Sequence, residues 1–209
     1  MKAKNIIFFA ATAVVIISLI YSFMGSSDQS AYIEEIKKER EEKDRFMKSS
    51  KESPFAGHPE SYKGLTYYAP DPKYKIIAEL TPIEKKETMT LATNTGEEQR
   101  YLEYAFAEFD LEGLHHKLLI LEVMDSGPFR GKLFFAFGDE TSAVETYGAG
   151  RYLDLQKVPG SATILLDFNK AYNPYCAYVS GRYNCPIPPK ENNLSVAIRA
   201  GEMNYKKPH

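Results

Sequence analysis

The chain opens on a long apolar run. Ile6 to Met24 are nineteen uncharged residues in which Thr12, Ser18, Tyr21 and Ser22 are the polar positions. A helix needs about 20 such residues to cross about 30 Å of hydrocarbon. Lys2 and Lys4 precede the run, so residues 1–25 read as a signal peptide or an uncleaved signal anchor, and the length of the run favours the anchor, a transmembrane helix. The pattern then becomes polar with a helical period. Ser30 to Lys48 predicts a helix capped by Ser30. Glu34–Lys38, Glu39–Lys43 and Glu41–Arg45 are acid-before-base pairs four residues apart. Its apolar stripe is thin (Tyr32, Ile36, Phe46, Met47), so residues 26–53 read as a charged helical spacer. Docking of its last turn is the alternative. Pro54 ends it, because the residue before a proline avoids the α region.

Residues 54–209 change to a period of two. Tyr74, Ile76, Ala78 and Leu80 alternate with Lys75, Ile77 and Glu79. Leu102, Tyr104 and Phe106 do the same, as do Leu119, Leu121 and Val123, then Ile164, Leu166 and Phe168, then Leu194, Val196 and Ile198. Each is the pattern of a half-buried strand. Turn residues separate them, among them Asn94-Thr95-Gly96, Glu112-Gly113, Gly138-Asp139 and Pro159-Gly160. The expected fold is mainly β: an antiparallel barrel or sandwich of seven to nine short strands, preceded by the anchor and the charged helix.

Charge changes the picture by exclusion. Lys and Arg number 26 against 28 Asp and Glu, a net charge of −2, so the basic footprint of a nucleic-acid binder is missing. His58, His115, His116 and His209 are scattered, and no metal site is expected. Lys2 and Lys4 favour an extracytoplasmic β domain. Lys37, Lys38, Arg40, Lys43 and Arg45 argue the reverse by a strict count, but acids interleave them and long domains translocate largely regardless of charge. The expected location is the cytoplasmic membrane, single-pass, with the C-terminal domain on the periplasmic side.

Three segments carry more polar specificity than packing needs. In Asp139–Asp154, the residues Glu145, Tyr147, Arg151, Tyr152 and Asp154 crowd around Gly148 and Gly150. An Arg there suits bidentate capture of an anion; the structural alternative is a bulge or hairpin whose Arg pairs with Glu145 or Asp154. In Asp167–Tyr178, Asp167, Asn169, Tyr172 and Asn173 enter a loop rich in Tyr, as in a binding surface, although Asx turns also explain the Asn residues. The third is the Pro-rich run from Cys185, leading to Arg199. Cys176 and Cys185 lie nine positions apart, and in an oxidising compartment a disulfide is the default. A thiol-redox pair is the sharper reading, with a spacing unlike Cys-x-x-Cys.

These segments resemble the bacterial and archaeal family called domain of unknown function 1684, over roughly residues 32 to 203. The marks are Arg40-Glu-Glu-Lys-Asp44 with Phe46, Ser53-Pro54, Gly64-Leu-Thr-Tyr-Tyr68, Glu145 to Asp154, Asp167 to Pro174, Cys176-Ala-Tyr178, Cys185-Pro-Ile-Pro-Pro189 and Ile198-Arg-Ala-Gly-Glu202. Two positions depart from the family pattern: Ala149 stands where many relatives have Gly, and Tyr175 where they have Pro. The resemblance implies a family and no reaction, so cofactors stay unassigned.

The first expectation is an anchored envelope protein that binds a small anionic ligand or a peptide. Arg151 and Arg199 hold the anion; Glu145, Asp167, Asn169 and Asn173 hydrogen-bond; Tyr147, Tyr152 and Tyr172 form walls. The second is an enzyme on the same site, with Glu145 or Asp167 as general base, or a flavin-dependent split barrel. The third is an assembly module contacting a partner through Tyr32, Phe46 or Ile187.

Overall fold

The structure is a computed structural model that describes residues 28–124 and 128–205. The expected anchor over 6–24 lies outside the described residues. Among those described, no helix is long and apolar enough to cross a membrane.

Seven strands form one antiparallel sheet: β1 (Lys75–Pro82), β2 (Thr88–Ala92), β3 (Glu98–Leu111), β4 (Leu114–Val123), β5 (Leu133–Phe137), β6 (Arg151–Leu155) and β7 (Thr163–Asp167). The order is β6-β5-β4-β3-β1-β7, with β2 also on β3, beside the end of β1. The β3–β4 hairpin is the spine. Its two-residue turn, Glu112-Gly113, has φ of 52° and 76°, the paired positive values that match the twist of the strands. The outer strands curl towards each other, and Tyr152 of β6 exchanges backbone bonds of 2.8 and 3.0 Å with Tyr172, just past β7. The sheet is therefore a curled half-barrel.

Its concave face carries the main core, which includes Ala107, Phe109, Ile120, Phe135, Phe137, Leu166 and Phe168. A second cluster, with Leu91, Tyr101, Leu119 and Leu121, packs on the other face. β4 is thus buried on both faces from Leu118 to Leu121 rather than alternating. In β3 the register shifts between Glu103 and Ala105, a bulge that changes the phase of the strand. Beyond it the buried residues are Ala105, Ala107, Phe109 and Leu111; the expected Tyr104 and Phe106 are only partly buried.

The run Leu194–Ile198 alternates as expected and is buried, yet it forms no strand. In place of a ladder, its backbone is held by two isolated bonds, from the Leu194 amide to the Gly138 carbonyl at 2.9 Å and from the Glu140 amide to the Val196 carbonyl at 3.2 Å, and by side chains. Arg151, 1% exposed, pairs with Asp139 at 2.8 Å and donates to the carbonyls of Ile198, Ala200 and Glu202. Gly150 precedes it with φ +85°. A Cβ there would lie 2.7 Å from the Phe137 carbonyl and 2.5 Å from Pro188, so the close approach is of backbone to backbone.

Residues 28–49 form the helix α1. It is helical from residue 28, so Ser30 lies inside it and does not cap it. Nor is it a free spacer. Tyr32, Ile36 and Met47 are buried, and with Arg40 and Lys43 they make one stripe against the domain. Two of the expected partners within the helix point elsewhere: Glu39 pairs with Lys170 at 2.7 Å, and Lys43 with Glu202 at 3.3 Å.

Candidate functional site

A cleft of about 1270 Å³ opens between α1, the surface of β5 and β6, and the loop from Tyr172 to Pro186. One wall is aromatic. Tyr101 and Phe134 stack with centroids 4.9 Å apart. Phe134 meets Tyr152 edge-on at 5.0 Å, and Tyr152 meets Tyr172 edge-on at 6.1 Å. Strand alternation and the Tyr152–Tyr172 bridge put these rings in one line. The phenol of Tyr152 donates to the Pro186 carbonyl at 2.6 Å, and that of Tyr172 to Asp154 at 2.8 Å, which fixes both rings. A disulfide joins Cys176 to Cys185 across the loop. The Asn94 side chain accepts from the Cys185 amide at 2.7 Å and ties the loop to the end of β2.

The opposite wall is α1. Lys43 places its ammonium 4.4 Å from the Tyr172 ring and 3.3 Å from Glu202. Burial lowers its pKa, with Glu202 opposing. Glu202 is fully buried and also accepts from Asn173 at 2.8 Å and Tyr178 at 2.6 Å. Arg40 lies 4.5 Å over the Tyr67 ring and donates to the carbonyls of Tyr68 (2.7 Å) and Asn169 (3.1 Å).

The ten predicted residues fall into six places. Tyr152, Asp154 and Tyr172 line the cleft, and Asn169 touches its inner end. Asp167 and Asn169 mainly seat α1. The Tyr32 phenol lies 2.7 Å from Asp167 Oδ1, and Asn169 Nδ2 donates back to it at 3.0 Å. Asn173 serves Glu202, and Tyr147 packs in the aromatic cluster around Phe55 and Tyr178. Arg151 is not an open anion site: its guanidinium is enclosed, and its two terminal nitrogens are spent on Asp139 and three carbonyls, while its Nε is buried without a partner among the described residues. The pairing with Glu145 or Asp154 weighed above does not occur either.

Glu145 and Arg199 meet on a different face, at 2.9 Å, with the Tyr68 phenol donating to Glu145 at 3.0 Å. The bonds from Arg199 and Tyr68 hold the Glu145 carboxyl below its ordinary value; burial and Glu145 push Tyr68 up to about 12. Arg199 therefore already has its anion. Residue-type reasoning missed Arg40, Lys43, Tyr67 and Glu202. For Arg40 and Lys43 the signal was present, as charges breaking the stripe of α1 at helical spacing; Tyr67 and Glu202 had none.

A curled antiparallel half-barrel clasped by one amphipathic helix, with an aromatic cleft between them, defines a β-rich domain of a single helix-and-sheet unit. The chain belongs to the family described as protein of unknown function (DUF1684), whose model matches residues 60–203. Among solved structures, the chain is similar to an uncharacterized protein of Haloarcula marismortui determined by solution NMR. Identity is 35%, TM-score 0.62, with 85% of this chain and 96% of that one covered. No curated protein matches the chain.

Proposed function

We propose that this domain is a binding module that takes a small, flat anionic molecule in the cleft between α1 and the sheet. The aromatic wall carries this reading. Sites for small ligands are concave, chiefly apolar and ringed by few polar groups, typically about 300–1,000 Å³, and this cleft is of that order. Tyr and Trp rings supply apolar area with polar tips, and here the tips are already fixed. Arg40, Lys43, Lys132, Lys157 and Lys170 line the cleft against Glu39 and Asp154; Lys43, Lys157 and Lys170 already pair with Glu202, Glu122 and Glu39, so Arg40 and Lys132 are the cations that favour an anion there. The uncharged run at 6–24 supports attachment to the cytoplasmic membrane, and the disulfide supports an oxidising, extracytoplasmic side.

The test is a two-dimensional amide NMR titration of the full chain with benzoate, in parallel with benzyl alcohol. Saturable shifts at Tyr152, Asp154 and Tyr172 are expected. Shifts with neither probe, or shifts elsewhere only, overturn the reading.

A further inference from the structure

The inner end of the cleft holds donors with nothing to donate to. The Tyr67 hydroxyl and Arg40 Nε are both buried and have no hydrogen-bond partner among the described residues. Both residues line the cleft, with Lys43 one turn along α1; the two atoms lie just beneath its surface, so an acceptor reaches them when the Arg40 and Tyr67 side chains shift. A buried donor left unpaired costs about 1–3 kcal/mol, so such groups are normally satisfied by an acceptor.

The charges point the same way. Arg40 has no ion-pair partner among the described residues; its two terminal nitrogens are spent on neutral carbonyls, and Asp167 acts on it only at longer range. Asp167 is itself engaged by Tyr32 and Asn169. Asp44 accepts from the Tyr62 phenol and from the Leu65 amide at 3.4 Å. Lys43 has Glu202 as its one carboxylate, and an ammonium has three donors.

We propose that Arg40 Nε, the Tyr67 hydroxyl and the Lys43 ammonium form the seat for a carboxylate, whose flat apolar body lies along Tyr172 and Tyr152. This rests on the reading of the cleft as a ligand site and adds which atoms hold the charge. It places the seat away from Arg151 and Arg199, the two arginines whose sequence surroundings suggested an anion site.

Tyr67→Phe is the decisive variant. It removes a buried hydroxyl with no internal partner, so the fold is expected to hold and the melting temperature of the ligand-free protein to stay the same or rise. The titration is repeated on the full chain with benzoate and benzyl alcohol. The unaltered protein is expected to bind benzoate at least about tenfold more tightly, the scale of a hydrogen bond to a charged group. Tyr67→Phe and Arg40→Gln should each lose most of that preference while keeping benzyl alcohol binding, and Arg199→Gln should keep it. An unchanged preference in Tyr67→Phe, or its loss in Arg199→Gln, overturns the seat and leaves the cleft reading standing. Equal binding of the two probes by the unaltered protein also overturns the seat. Failure of both probes to bind removes the cleft reading itself.

Discussion

At the scale of single residues, Arg151 and Arg199 show how alike two side chains look in a sequence and how differently they act. Arg151→Ala leaves the Asp139 carboxylate buried without its partner and three carbonyls without a donor. Breaking a buried pair from one side costs about 3–5 kcal/mol. A loss of that size is expected in chemical denaturation. Arg199 is exposed and its pair with Glu145 is surface-screened, so Arg199→Ala should leave the denaturation midpoint where it was. The sequence marked both arginines and gave no means of separating them. Burial of Arg151 depends on the phase of β6 and on the passage of residues 198–202 across it. Neither is a property of its neighbours in the chain. The segments flagged as polar were well chosen, but their polarity serves mostly to hold chain to chain: Asp167 and Asn169 to α1, Arg151 to the C-terminal run, Asn173 to Glu202.

At the scale of elements, α1 is held by buried polar contacts as much as by apolar ones. Tyr32→Phe removes the donor to Asp167 and the acceptor for Asn169 Nδ2, at a cost of about 1–3 kcal/mol. Amide exchange in residues 28–49 should quicken more than exchange in β3 and β4. The helix was legible from its period, but its docking was not. The stripe Tyr32, Ile36, Arg40, Lys43, Met47 is charged in the middle, and a charged position normally signals solvent. The strands β1 and β7 were read in phase. The bulge in β3 could not be seen, since an extra residue changes the phase without changing composition. Leu194–Ile198 has the right alternation for a strand. It misled because extended chain of any kind alternates, and its hydrogen bonds go to the loop backbone at Gly138 and Glu140 and to the side chains of Arg151 and Asp139.

At the scale of the whole molecule, the half-barrel and its loops unfold as one body, and two conditions should reveal it. Reducing Cys176–Cys185 frees a loop with a nine-residue separation, worth about 2–3 kcal/mol in the chain-entropy model. Denaturation with and without reductant measures it. Alkali is the second. Burial lifts the phenols of Tyr32, Tyr62, Tyr67, Tyr152, Tyr172 and Tyr178 above their ordinary 10.0. The folded chain then keeps protons that the unfolded chain releases, so their contribution is whole below pH 10 and falls away as pH rises above it. Lys43, lowered by burial, works in the opposite sense between its depressed value and 10.5, and is outnumbered by the raised phenols. Stability is expected to decline past about pH 10, with the tyrosinate absorbance band growing together with unfolding and not before it. The contacts of α1 also decide where the domain begins as a transplantable part. A gene fragment started at residue 60, where the family match starts, would carry Asp167 and Glu202 without Tyr32 and Lys43, and a cleft missing one side. The stretch that can be moved between proteins and still arrive whole starts before Tyr32.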